Sequence, residues 1–393
     1  LLVALDDTPG ATEAAWKYVL IASMGLGVAL VATIIMYYAG STVLGTGFEL
    51  FYPRLLATAS RFPQQVTELA FVLAVVGFGT KMGLVPMHTW LPDAHSEAPT
   101  PVSALLSAAL LAICFYAILR YYEITARGVG PGFPREVLLA FGFASLVLAA
   151  LSVAVQRDLK RLLAYSSIEH MGVLCIGMSF AAPLAIVGVL LHVLAHAAAK
   201  GTAFFGAGSV VRKFHAKDLG QVRGGVSLLP WSGPMLVLAI LALSALPPFG
   251  IFRSEFLIVA GGLRSPADTA AAVLVALVTA AAMGLTWYVG RTLLSAAPDT
   301  VAEPSLGGVD GFEREGGSMA TAGGSSVPAV EPATPTTLLA AAPAGTVPRG
   351  EPSAWIVVSM LLGLAALTLL GVAPPHPLDV LLRHAAAQLE VAR

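Results

Sequence analysis

Nine apolar runs follow one another along this chain of 393 residues, at about 16–39, 66–86, 101–122, 136–156, 162–180, 184–211, 229–262, 269–294 and 354–372. A helix rises ~1.5 Å per residue, so about twenty apolar residues cross a hydrocarbon core about 30 Å thick. Hydrophobic residues make up 57% of the sequence and charged residues 11%, where a soluble domain carries about a quarter charged. The expected fold is therefore an all-α polytopic membrane protein with about nine transmembrane helices. The net charge of -1 and the lack of a basic run give no reason to expect a nucleic-acid partner. Cys114 and Cys175 both fall inside apolar runs and read as small buried hydrophobes.

Two of the runs are interrupted. The second contains Lys81 among Gly77, Gly79, Gly83 and Pro86, and the seventh contains Pro247 and Pro248. Proline inside a span removes backbone hydrogen bonds, which a membrane tolerates only where neighbouring groups or water satisfy them. A lysine at membrane depth costs at least ~2.5 kcal/mol, so Lys81 beside a break marks a candidate site; the competing reading is that it snorkels to the interface. Broken spans at matching places in two halves point to inverted repeats around a midplane pathway. The later repeat is then 136–294, with five spans, and 1–135 is the remainder of the earlier one, with three. The chain starts at Leu1 and shows no signal-peptide pattern, so two further spans of the first repeat are expected upstream, in a longer protein.

Between the breaks, His192, His196 and Lys200 recur every four residues against Ala, Val and Leu, one polar stripe on a helix face. Such a stripe either passes protons, as imidazole chemistry allows, or packs helix against helix through hydrogen bonds. A metal is not expected: Val193 occupies the glutamate place of a His-Glu-x-x-His motif and no third ligand is near in sequence. Glu255 follows the second break. Arg253, two residues away, is expected on another side of the helix. Glu169 and His170 read as opening the fifth span near its cytoplasmic end, and Lys160 as a loop residue ahead of it; these three and Arg253 are accessory candidates. No cysteine cluster could hold iron-sulfur centres and no glycine-rich strand-to-helix turn a dinucleotide, so no bound cofactor is expected.

Arg157, Lys160 and Arg161 in one loop, and Arg212, Lys213, Lys217 and Arg223 in another, place these loops in the cytoplasm. With nine spans, the amino end of this chain is then cytoplasmic and its carboxyl end outside, in a cell inner membrane. Residues 295–353 shift to Pro, Gly, Ser, Thr and Ala and are expected to form a disordered low-complexity loop; 354–393 supply the last span and a tail.

The stretches TKMGLVPMHTWLPDAHSEAPTPVSALL, QRDLKRLLAYSSIEHMG and PPFGIFRSEF, with the His192, His196 and Lys200 stripe, resemble the proton-conducting antiporter-like subunits shared by respiratory complex I, membrane-bound hydrogenases and Mrp-type antiporters. Within that group, AHSEAPTPVSALLSAALL and SSIEHMG are most similar to the hydrogenase-4 component F type. The resemblance implies inverted five-helix repeats and a polar midplane axis. It assigns proton transfer to Lys81, His192, His196, Lys200 and Glu255, and a basic site ahead of a helix to Lys160. As partners it implies other membrane subunits and a peripheral redox arm, of Ni-Fe hydrogenase or complex I type. An Mrp-type sodium (potassium)/proton antiporter without a redox partner is the alternative function, and a structural subunit that has lost conduction a third. Two departures stand out. Ala112 occupies a place where some relatives carry a lysine, leaving Ser103, Ser107 and Tyr116 as polar candidates, and the glutamate paired with the family's first lysine would lie upstream of Leu1.

Overall fold

The computed structural model describes residues 2–5, 8–45, 47–296 and 349–390. Most of the expected low-complexity loop, 297–348, lies outside the described residues. No strand element occurs among the described residues; Asp158 and Asp218 form one isolated bridge.

In chain order, α1 (Pro9–Leu44) is followed by the short α2 (Tyr52–Thr58) and then α3 (Gln64–Met82). α4 (Trp90–Glu97) and α5 (Thr100–Leu105) come next, and α5 passes through a widened π turn (Leu106–Leu110) into α6 (Leu111–Val129). α7 (Gly132–Val153), α8 (Leu159–Ser179) and α9 (Pro183–Phe214) are unbroken. α10 (Gly225–Leu228) is one turn, α11 (Ser232–Leu243) and α12 (Gly250–Gly262) form a broken pair, and α13 (Asp268–Leu293), α14 (Ala354–Val372) and α15 (His376–Glu390) close the chain.

Among the described residues, seven helical segments are long and apolar enough to cross a membrane: α1, α3, α5–α6, α7, α9, α13 and α14. The other two expected spans are present in different dress. α8 is more polar, yet nearly every residue from Leu159 to Ser179 is buried, because the surrounding helices take the place of lipid on all its faces. The seventh expected span is the pair α11 and α12, parted at 244–249. Both breaks read from the prolines are real: 83–89 separates α3 from α4, and the Val85–Pro86 and Pro247–Pro248 bonds within the two breaks are cis.

The outward faces of α1, α13 and α14 carry exposed Leu, Val, Met and Trp, including Met24, Trp287 and Trp355, as a lipid-facing surface requires. Inside, close approach is achieved with small residues. A Cβ on Gly77 of α3 would collide with the backbone of Ala29 on α1, the kind of contact that holds helices together where lipid is as apolar as the side chains.

α15 had not been expected beyond a tail. It is short and amphipathic, burying Leu382, Ala386 and Leu389, and it packs near the start of α9. α14 lies against α9 and α12: Gly363 faces Thr202, Gly371 faces Pro248, and Arg253 donates to the carbonyls of Gly371 and Val372 at 3.3 and 3.4 Å. At its other end Glu351 accepts from the backbone N–H groups of Trp231 and Ser232 at 2.7 and 3.0 Å.

Candidate functional site

The first break positions Lys81. α3 ends because Gly83 adopts a left-handed conformation (φ 82°), its N–H turning back to the carbonyls of Gly79 and Thr80, the usual role of glycine after a helix. The chain then folds under the helix end, where the Trp90 indole donates to the Thr80 carbonyl at 2.7 Å and the Val85 N–H reaches Ser145 Oγ at 3.0 Å. Lys81 projects from the last turn, half-buried, donating to Tyr18 OH at 2.7 Å. Its Nζ lies 4.2 Å from the Tyr18 ring centroid and 5.9 Å from that of Trp90, so aromatic faces of α1 and α4 share in holding the charge.

α8 and α9 supply the centre. α8 is capped by Asp158, whose carboxylate accepts from the Arg161 N–H at 2.8 Å, so the helix starts earlier than its apolar run. Two expectations change as a result. Lys160 is no loop residue: it lies in the first turn, buried, donating to the Ala98 carbonyl at 3.0 Å. Glu169 and His170 do not open the span but sit mid-helix, both buried. Lys200 on α9 is fully enclosed and donates to the Leu163 carbonyl at 2.7 Å and to Ser166 Oγ.

The stripe on α9 and the second break meet at His170. The His192 Nε2 is 3.2 Å from His170 Nδ1, and the His170 ring lies 5.1 Å from that of His192 and 5.2 Å from that of His196. Glu255 Oε1 is 3.8 Å from His170 Nδ1. Ser254, one residue before Glu255, stands 2.9 Å from His192 Nδ1. Three helices thus bring His170, His192 and Glu255 together with ligand-type atoms all within 4.8 Å of one another, a grouping that spacing along one helix does not reveal. Glu255 also lines a cavity of about 460 Å³ with Ser244, Phe252, Phe256 and residues of α13. Arg253 points away from it, to the end of α14.

Between the lysines, the polar candidates divide. Ser107, at the π turn, shares a 2.9 Å hydrogen bond with Ser167, which itself donates to the Leu163 carbonyl at 3.2 Å, the same oxygen that receives Lys200. A hydrogen-bonded string therefore links α5–α6 to Lys200 in spite of Ala112. Tyr116 is 55% exposed on the outer face and takes no part. Sequence reasoning missed His95: it is fully buried, stacked on Phe204 at 5.1 Å, and both its ring nitrogens lack a partner. Ser103 donates to its carbonyl at 2.9 Å. Its segment, 90–97, offers only the short apolar trio Trp90, Leu91 and Ala94 among a proline and polar residues, too little to mark it as buried.

Residues 1–284 match the family described as NADH:quinone oxidoreductase/Mrp antiporter, transmembrane. The chain belongs to this family. The matched span of the NADH:quinone oxidoreductase/Mrp antiporter family contains Lys81, Lys160, Lys200, the three histidines and Glu255, and ends before α14. A curated relative, the hydrogenase-4 component F homolog of Methylacidiphilum infernorum, is 36% identical over 281 residues, 71% of this chain and 59% of the relative. The chain thus spans about three fifths of the length of that relative. Among solved structures, one of the membrane-bound sulfane sulfur reductase, an archaeal respiratory membrane complex, aligns with 99% of this chain and 68% of its own at TM-score 0.77 and 21% identity. The Mrp complex from Dietzia sp. aligns with 98% of this chain and 69% of its own, at TM-score 0.77 and 20% identity. At such identities these two likenesses speak for the fold alone, a multi-pass helical membrane fold of the kind found in those two complexes.

Proposed function

We propose that this chain translocates protons as the membrane subunit of a respiratory-type oxidoreductase complex of the hydrogenase-4 or formate hydrogenlyase kind, related to NADH-quinone oxidoreductase, while carrying no redox centre itself. The observation that carries the reading is the buried cluster of His170, His192, His196 and Glu255, one to two helical turns along α9 from the enclosed Lys200. Ionisable groups at membrane depth are costly and persist for pathways. Here they succeed one another across the molecule from one broken helix to the other.

In this reading a charge or hydration change at one buried group alters the proton affinity of the next. Protons pass from Lys81 by way of Ser107, Ser167 and His95 to Lys200, and through the three histidines to Glu255. Lys160 and Glu169 act beside that line, and Arg253 braces the second broken helix against α14. The helix breaks at Pro86, Pro247 and Pro248 open backbone groups to the axis, in keeping with one break per inverted repeat. The partners are other membrane subunits and a redox arm that drives them. The amino end faces the cytoplasm, on the side of Lys160, Lys213 and Lys217, and the carboxyl end faces out.

Glu255→Gln keeps the shape of the site and removes its charge. Inverted vesicles holding the complete complex should lose proton uptake with this variant, while native gels show the complex at normal abundance; undiminished uptake would refute the assignment. Nickel and iron in the purified complex identify a hydrogenase-type arm, flavin and iron without nickel a complex I-type arm, and no redox centre the antiporter.

A further inference from the structure

We propose that His170, His192 and Glu255 form a binding site for a divalent cation of the Zn²⁺ class, reached through the cavity that Glu255 lines. The donor set is two imidazole nitrogens and one carboxylate oxygen, which favours zinc and its neighbours over the oxygen-seeking magnesium and calcium. All three side chains are buried, and each comes from a different helix, α8, α9 and α12. The fold therefore assembles the site without a loop.

The geometry is close to what the ion requires. Zinc bonds of about 2.0–2.1 Å in a tetrahedron set neighbouring ligand atoms roughly 3.3 Å apart. His192 Nε2 and His170 Nδ1 are 3.2 Å apart, Glu255 Oε1 stands 3.8 Å from His170 Nδ1, and all three atoms lie within 4.8 Å of one another, so a carboxylate movement on the order of an ångström closes the set. Glu255 Oε1 has no hydrogen-bond partner.

The outer shell fixes the lone pairs. Ser254 donates its hydroxyl proton to the Ile251 carbonyl at 2.8 Å, so at 2.9 Å it accepts from His192 Nδ1–H. The proton of His192 is thereby held on Nδ1, and the Nε2 lone pair faces the site, the orienting arrangement that metal-binding histidines use. His170 completes the set when its proton resides on Nε2, a buried atom without a partner. Of the three ligands Glu255 lines the cavity of about 460 Å³, which makes its side of the cluster the route for the ion.

Binding rests on this geometry alone; its consequence rests on the proposed function, since an ion on these lone pairs occupies the groups that would pass protons and arrests translocation. The test uses the complete complex, stripped of loosely held metal and titrated with Zn²⁺ alone, with Co²⁺ as an optical substitute. The expected result is one site that gives four-coordinate Co²⁺ absorption. Glu255→Gln and His192→Gln should abolish it, and Ser254→Ala should weaken it by about 10–100-fold. His384→Gln, remote on α15, should leave it unchanged. Unaltered binding in Glu255→Gln and His192→Gln complexes of normal abundance, or only six-coordinate Co²⁺, overturns the site. Zn²⁺ bound in vesicles that move no protons even without it would support the site and refute the transport reading, so the two fail separately.

Discussion

His192 and His170 are separated by 22 residues of sequence and by 3.2 Å in space, Nε2 to Nδ1. The contact makes one continuous group of two helices that either could have served alone. Ser254 sets which atom of His192 faces His170. Ser254→Ala leaves the Nδ1–H buried without an acceptor, at a cost of about 1–3 kcal/mol. Proton uptake by vesicles should fall roughly five- to a hundredfold, by conversion of that cost at about 1.4 kcal/mol per decade, whereas Ser254→Thr, which keeps the hydroxyl, should retain most of it.

Lys200 is enclosed and held by the Leu163 carbonyl and Ser166. A lysine in such a place can give up its proton; an arginine cannot, and its planar fork demands a different cradle. Lys200→Arg should therefore be as defective in proton movement as Lys200→Ala, in spite of keeping the charge. Full activity in the arginine variant, measured by fluorescence quenching in vesicles, would mean that Lys200 acts only as a fixed cation.

Gly77 lies flat against the backbone of Ala29. Gly77→Val forces α1 and α3 apart, and overpacking of this kind costs roughly 1–3 kcal/mol. The purified protein should show a lower thermal midpoint. Gly27→Ala on α1, where a new methyl meets open space, is the matched control and should change little.

Asp158 caps α8 from outside the spans, and burial pushes its carboxyl up from the ordinary value. A raised native pKa means that the folded state holds the proton more tightly than the unfolded chain, so stability from this group falls as pH rises through the native value. Asp158→Asn keeps the cap without a charge and should gain on the wild type as pH rises from about 4, the ordinary carboxylate value, through the raised native one. Asp158→Ala loses the cap at a cost of about 1 kcal/mol. Thermal unfolding across that range reads both.

The spans, both breaks and the α9 stripe were legible because each depends on spacing along one stretch of chain. His192, His196 and Lys200 repeat every four residues, and prolines announce their breaks locally. His170 was misplaced because α8 is surrounded by protein on every face, which lets a polar helix lie where an apolar one is expected. Its neighbours in space come from α9 and α12, and no local pattern states which helices touch. His95 stayed hidden for the opposite reason: its short helix is framed by prolines and polar residues, so its burial follows from the fold of the first break and not from its own segment.

The fastening of α14 has a consequence for how the protein can be cut. Its ends are tied to other parts of the bundle, by Glu351 to the start of α11 and by its final carbonyls to Arg253. Covalent continuity with α13 contributes none of these contacts. Two polypeptides divided between those helices retain every described interaction and should reassemble when made separately, which makes this junction the natural place to install a fusion partner or to trade one C-terminal helix for another.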